Sequence, residues 1–169
     1  IDPPKPHPPL AFLDLADFVL KAGFQPIIVD QRIEKDWRQK VEKHLNEALC
    51  ACISCFTGYQ IVNAMQTAAF IKEKNPKTLT IVGGTHPTFF PEQTLAEKAV
   101  DCIILGEGEI VLPTVLRRIV NNEPLNGIKG LGYKKDGQQY LNKEFELVDL
   151  TDSRTRWDLI DIEKYVRPS

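Results

Sequence analysis

The chain has 169 residues, 43% hydrophobic and 26% charged, the composition of one globular domain with at most a small appendage. Its 21 Lys and Arg against 23 Asp and Glu leave a net charge of −2, without the basic footprint of a nonspecific nucleic-acid binder. No apolar run approaches the roughly 20 residues of a bilayer span, and the proline-rich, acidic start lacks the order of a secretory signal. Four cysteines, three of them within Cys50–Cys55 inside an apolar run, point to a reduced, cytoplasmic chain rather than a disulfide framework.

Ile1–Pro9 is a turn-rich opening with five prolines, and from Leu10 the residues Phe12, Leu15, Ala16 and Val19 recur at helical spacing, with Gly23 as a stop. Pro26–Asp30 reads as a short buried strand. Glu34–Glu47 reads as a surface helix with Trp37, Val41, Leu45 and Ala48 on one side. Ala48–Ser54 is apolar throughout, the pattern of a strand covered on both faces. Ile61, Ala64, Met65, Ala68 and Ile71 form the next helical stripe, ended by Asn75-Pro76. A strand over Thr78–Val82, a loop over Gly83–Pro91, a short helix over Glu92–Lys98, a strand over Asp101–Leu105 and a helix carrying Leu112, Val115, Leu116 and Ile119 follow.

Strands alternating with helices specify parallel βαβ units. The fold expected is α/β, a Rossmann-like or flavodoxin-like open parallel sheet with helices on both faces, over residues 1–127. Lys135-Asp136-Gly137 then signals a β-hairpin within 128–146, and 147–169 is an acidic, turn-rich connector leading out of the domain. A sheet of this kind wants a central strand before its first helix. Only Ile1 and Asp2 precede the prolines, so the chain reads as clipped in or after that strand.

Open parallel sheets bind ligands beyond the carboxyl ends of their strands. Four loops fall there: Asp2–Leu10, Ser54–Gln60, Gly83–Pro91 and Gly106–Glu109. All are rich in Gly, Pro, Ser, Thr or His, and the loops at the opposite ends are plainer. Gly83-Gly84 either makes a tight turn or lets a ligand approach the backbone closely. Gly106-Glu107-Gly108-Glu109 lacks the dinucleotide fingerprint, and no Walker motif occurs. His86 is the histidine best placed for function, as a hydrogen-bonding group rather than a metal ligand; His7 and His44 read as structural. Cys50 and Cys52 share one strand face and Cys55 lies past its end, so the three read as small buried hydrophobes rather than cluster ligands. Ser54 and Thr57 can donate hydrogen bonds to phosphate or amide groups.

Taken in order, Ile53-Ser54-Cys55-Phe56-Thr57-Gly58-Tyr59-Gln60, Gly83-Gly84-Thr85-His86-Pro87-Thr88 with Pro91-Glu92, and Asp101 through Gly106-Glu107-Gly108-Glu109 resemble the cobalamin-binding domain of cobalamin-dependent radical S-adenosylmethionine (SAM) enzymes. That family includes methyltransferases and the anaerobic ring cyclase of bacteriochlorophyll synthesis. Asp2-Pro3-Pro4 with Pro8-Pro9-Leu10 is similar to the family's first loop, and Trp157-Asp158-Leu159-Ile160-Asp161 with Tyr165 to its linker into the catalytic barrel.

The resemblance implies a corrin at the carboxyl edge of the sheet, its nucleotide tail running past Ser54 and Gly83-Gly84. The cofactor contacts it implies are Pro3, Pro4, Ser54, Thr57, Gly58, Tyr59, Gln60, Gly83, Gly84, Thr85, His86, Pro87, Thr88, Gly106, Glu107, Gly108 and Glu109. The Asp-x-His-x-x-Gly signature is absent, so cobalamin is expected without its own base and without a histidine on cobalt, with Tyr59 near the lower face. No catalytic residue is expected in this segment. The Cys-x-x-x-Cys-x-x-Cys of the family's 4Fe-4S cluster is also absent, so the cluster, SAM and the radical SAM barrel are expected in a further region of the parent chain, and this segment should not cleave SAM. A stand-alone cobalamin- or ligand-binding sensor or carrier, and a cofactor-free interaction scaffold, are the alternatives. Gly84→Val is expected to block the tail channel while the fold survives.

Overall fold

The computed structural model describes residues 6–166. Among these residues two compact units emerge, one formed by 6–41 with 149–166 and the other by 42–148.

In the first unit, α1 (Leu10–Lys21) buries Leu13, Ala16, Asp17 and Val19. It stops at Gly23, as its sequence requires. Gly23 has φ +90°, its N–H donates to Leu20 O at 2.9 Å, and the Phe24 N–H donates to Val19 O at 3.1 Å. That pair of bonds is a Schellman cap, which needs the left-handed residue glycine supplies.

The expected strand over Pro26–Asp30 does not form. The segment has no ladder partner among the described residues, and the central strand expected before the first helix falls at Ile1 and Asp2, outside them. A strand exists only through its neighbours' hydrogen bonds. The segment ends on buried Asp30, whose carboxylate takes a bidentate pair of bonds from Arg32 (Nε 2.8 Å, Nη2 2.6 Å) and a third from the Tyr165 hydroxyl at 3.0 Å. Residues 149–166 do not run free of this unit. Thr155 Oγ1 donates to Asp14 at 2.6 Å, the Arg154 N–H to Asp17 at 3.1 Å and the Arg156 N–H to Leu13 O at 3.2 Å. Helix α2 (Trp37–His44) follows the first segment and buries no residue, in keeping with its charged sequence.

The second unit carries a five-stranded sheet in the order β1-β2-β3-β4-β5. Strands β1 (Cys50–Ser54), β2 (Leu79–Gly83) and β3 (Cys102–Ile104) are parallel. They are joined by α3 (Gln60–Lys74) and by two short helices, α4 (Thr85–Phe89) and α5 (Pro91–Ala96). After α6 (Gly108–Val120), strands β4 (Leu131–Lys135) and β5 (Gln138–Leu141) form a hairpin. Its turn has φ 51° at Asp136 and 75° at Gly137, both positive as a type I′ turn demands. The hairpin joins the main sheet, because β4 pairs antiparallel with β3.

Ile81, Val82, Ile103, Leu95, Val100, Val115 and Leu131 form the floor of the core. Ala64 and Ala68 are buried on α3, which packs against β1 and β2. Their small side chains let a helix approach a sheet closely. Opposite the loop-rich edge, Asp101 accepts from the Thr80 N–H at 2.7 Å and Thr80 Oγ1 at 2.9 Å and pairs with Lys72, fixing the starts of β2 and β3.

Two local expectations change. β1 is not covered throughout: only Ile53 is fully buried, because β1 is the outermost strand of this sheet among the described residues. The stretch Gly83–Pro91 is not an open loop, since α4 occupies Thr85–Phe89.

Candidate functional site

Three of the four loops singled out by sequence follow β1, β2 and β3 and lie in one unit, and hydrogen bonds join them. Ser54 ends β1 directly beside Gly83, which ends β2 in register with it. The Cys55 N–H donates to Gly83 O at 2.8 Å, and Cys55 O accepts from the His86 N–H at 3.0 Å. Across the next gap, Thr88 Oγ1 donates to Gly84 O at 2.8 Å and accepts from the Gly106 N–H at 2.9 Å. Loops distant in sequence thus meet at one edge through backbone atoms and a single hydroxyl. Pro3 and Pro4, from the first loop, lie outside the described residues.

The two adjacent glycines have different physical reasons. Gly84 has φ +107°, and a Cβ there would stand 2.9 Å from Cys55 O. It is a seat for the neighbouring loop. The expectation that Gly84→Val would spare the fold is therefore withdrawn: a branched side chain would drive into backbone. Gly83 has no positive φ, and an added Cβ would meet only Ile104 Cβ, at 3.9 Å, so a methyl group fits. Nothing within the unit requires glycine there.

His86 is 4% exposed, its ring lies 5.3 Å from that of Phe90, and its Nδ1 is buried without a hydrogen-bond partner. Buried polar atoms are almost always paired, so this one marks a place where another group belongs. Pro87 is turned fully inward, whereas Thr85 is exposed and Thr88 half-buried. Thr57, Gly58 and Tyr59 stand out from the edge, Tyr59 at 78% exposure, and Gln60 begins α3. Gly106 and Glu107 are exposed, and Gly108 and Glu109 open α6.

Sequence reasoning missed two contributors. Cys55, whose thiol pKa is raised by burial, supplies the backbone seat for Gly84 and His86. Phe145 lays its ring where a Cβ on Gly106 would sit, 3.0 Å away, while the Val148 N–H donates to Glu107 Oε2 at 2.9 Å. A backbone seat has no residue-type signature, and Phe145 sits in an acidic run without periodicity.

An edge of this kind, with a strand-ending glycine whose Cβ position is unobstructed and an orphaned imidazole nitrogen, fits a large group that reaches in among the strand ends. The B12 binding domain family matches residues 2–116 of the chain. The chain belongs to the B12-binding domain family. Its cofactor is accordingly cobalamin, and the bare Gly83 strand end and the His86 nitrogen are the features here that fit it.

This B12-binding domain is 26% identical over 169 residues to an anaerobic magnesium-protoporphyrin IX monomethyl ester cyclase of Synechocystis sp., covering 96% of this chain and 34% of the cyclase. It is 30% identical over 106 residues to an uncharacterized methyltransferase of Pyrococcus horikoshii, covering 61% of this chain and 23% of that protein. The chain therefore spans about a third or less of the length of these relatives.

Among solved structures, the radical SAM methyltransferase TsrM of Kitasatospora setae, with cobalamin and a 4Fe-4S cluster bound, superposes with TM-score 0.72 at 16% identity, over 89% of this chain and 29% of TsrM. The cobalamin-dependent SAM radical enzyme OxsB with aqua-cobalamin bound gives TM-score 0.70 at 19% identity, over 88% of this chain and 21% of OxsB. These likenesses establish the B12-binding domain's fold: an open, mostly parallel flavodoxin-like sheet.

Proposed function

We propose that this domain is the cobalamin-holding part of a cobalamin-dependent radical SAM enzyme, and that it presents the corrin at the carboxyl edge of β1, β2 and β3. In this reading Ser54, Gly83 and Gly84 border the nucleotide tail. Thr57, Gly58, Tyr59, Gln60, Thr85, His86 and Thr88, with Gly106, Glu107, Gly108 and Glu109, face the corrin and its amides. Pro3 and Pro4, outside the described residues, join this set on the resemblance of the first loop's sequence alone. Pro87, turned inward, acts by shaping α4 rather than by contact.

The observation that carries the reading is Gly83, a glycine where a methyl group would be tolerated, at the point where three loops converge. Glycine inside a strand costs about 0.5–1 kcal/mol relative to alanine, and in strands it often marks a place where a ligand or another backbone approaches closely. When bound, cobalamin supplies a cobalt centre that carries a methyl group or tunes a radical step. The domain's own residues hold it, orient it and keep its tail out of water.

The absence of Asp-x-His-x-x-Gly supports binding without the cofactor's base and without a histidine on cobalt. The relatives' greater length supports a parent chain that also carries the cluster and the SAM site. Four free cysteines support a reducing, cytoplasmic setting. Titration of the purified domain with hydroxocobalamin tests the core of the proposal. Saturable binding with a base-off absorption spectrum is expected; no saturable binding, or a base-on spectrum, overturns it. Sequencing past Ser169 tests the rest, with a Cys-x-x-x-Cys-x-x-Cys motif as the expected finding.

A further inference from the structure

An asparagine loses its amide nitrogen when the N–H of the next residue attacks its side chain. That requires a carboxamide free to turn, a following N–H free to react, and no side chain on the following residue to block the approach. The chain has seven asparagines, and their surroundings separate them. Asn75 is followed by Pro76, which has no N–H. Asn63 lies inside α3, where the next N–H is held by the helix. The N–H groups after Asn46, Asn121 and Asn122 donate to His44 O, Ile119 O and Arg118 O, at 3.1, 3.2 and 2.8 Å. Asn142 Oδ1 accepts from the Glu144 N–H at 3.0 Å, which holds that carboxamide in place.

Asn126 meets all three conditions. It is exposed, and it is the one asparagine followed by glycine. Among the described residues neither its carboxamide nor the Gly127 N–H has a hydrogen-bond partner. Gly127 has φ +79°, and an added Cβ would meet nothing within 4 Å, so the space beside its nitrogen is open. A further group bears on the same peptide. Arg118, on α6, donates from Nη1 to Asn126 O at 3.1 Å and to Pro124 O at 2.5 Å. When a peptide nitrogen gives up its proton, resonance moves the negative charge onto the carbonyl oxygen. A guanidinium already aimed at that oxygen stabilises the nitrogen nucleophile, as a donor stabilises any developing oxyanion.

We propose that Asn126-Gly127 is a built-in deamidation site and that Arg118 promotes its reaction. Hydroxide takes the proton of the Gly127 N–H, and the nitrogen bonds to Asn126 Cγ. The Cγ–Nδ2 bond then breaks, ammonia leaves with a proton from water, and a succinimide remains. Water opens that ring at either carbonyl. One product is aspartate; the other is isoaspartate, which carries an extra methylene in the main chain. Nothing is oxidised or reduced, and the net charge passes from −2 to −3. The added methylene enters shortly before Gly130, whose O accepts from the Leu105 N–H at 2.8 Å, next to Gly106 of the ligand edge. None of this requires cobalamin.

The test incubates the chain in mildly alkaline buffer, folded and in parallel unfolded in urea, and follows its asparagine-containing peptides by mass spectrometry. In the folded chain the Asn126 peptide should gain one mass unit ahead of the other six, and no more slowly than in urea. Electron-transfer fragmentation should place aspartate and isoaspartate at that position. Arg118→Met should slow the reaction of the folded chain about tenfold, the loss of one charge-assisted hydrogen bond, and leave the rate in urea unchanged. The comparison of folded with unfolded native chain stands even where that variant does not fold. The proposal is overturned if Asn126 stays intact while another asparagine reacts, if folding slows Asn126, or if folded Arg118→Met reacts as fast as the native chain or faster.

Discussion

Gly83 offers the sharpest separation of fold from ligand. Its backbone is ordinary, and an added Cβ would meet only Ile104 Cβ, at 3.9 Å. Alanine there removes freedom from the unfolded chain without strain in the folded one. Gly83→Ala should therefore raise the stability of the cofactor-free domain by about 0.5–1 kcal/mol, a rise of a few degrees in Tm. The same methyl stands where the proposed nucleotide tail passes. Cobalamin affinity should fall at least about tenfold, a loss of about 1.4 kcal/mol, and Gly83→Val should fall further. Thermal melts without cofactor and absorbance titration with hydroxocobalamin measure the two effects on one preparation. A Gly83→Ala or Gly83→Val protein that melts no lower than wild type and binds cobalamin equally well would refute the placement of the tail.

Other substitutions probe the ties that hold the edge together. Gly84→Ala should destabilise the cofactor-free domain by roughly 1–3 kcal/mol in urea melts, through positive φ and contact with Cys55 O; a neutral result would contradict the seating of that loop. Thr88→Val removes both the acceptor for the Gly106 N–H and the donor to Gly84 O. It should cost about 1 kcal/mol and speed hydrogen exchange at the Gly106 amide. Acid should weaken the first unit. Burial alone would raise the carboxyl pKa values of Asp17 and Asp30, but Lys21 and the Arg154 N–H around one, and Arg32 and Tyr165 around the other, hold both below the usual value. A folded pKa below the unfolded one gives stability that is present above about pH 3.9 and lost as pH falls through the lowered values. Amides in 149–166 should lose exchange protection in that range, and Asp30→Asn should flatten the dependence; an unchanged acid profile in that variant would count against the Arg32–Asp30–Tyr165 arrangement.

The parallel order of β1, β2 and β3 was legible because alternation of apolar runs with helical stripes leaves few topologies open. The Asp136-Gly137 turn was legible because two positive φ values in succession suit few residue pairs. The strand at Pro26–Asp30 failed for a non-local reason. Its β-branched residues suit a sheet, but a ladder needs a neighbour, and composition within the segment carries no information about that neighbour. The helix over Thr85–Phe89 failed for a local one. His86-Pro87-Thr88 reads as loop chemistry, yet Pro87 sits early in the helix, where its missing N–H leaves no bond unmade. Within the segment read as a connector, Arg154, Thr155 and Tyr165 are tied down because Asp17, Asp14 and Asp30 present acceptors to them. Those aspartates look like ordinary surface charge until the fold shows what faces them.

The candidate site was legible by loop and not by atom, and the difference explains how the fold tolerates divergence. Cys55 N and O, Gly83 O, Gly84 O, His86 N and Gly106 N make the ties between loops, with Thr88 Oγ1 as the one side-chain contributor among them. Backbone atoms are present whatever the residue, so most side chains at this edge can change while the edge keeps its shape. Only positions where a side chain would collide or must donate are held to one type, as at Gly84 and Thr88. Structures can therefore agree to TM-scores of 0.70–0.72 at 16–19% identity. In this chain the side chains at the edge that lie outside these ties are the exposed Phe56–Tyr59 flank and Phe145 over Gly106, so substitutions there should change what the edge presents and leave its shape intact.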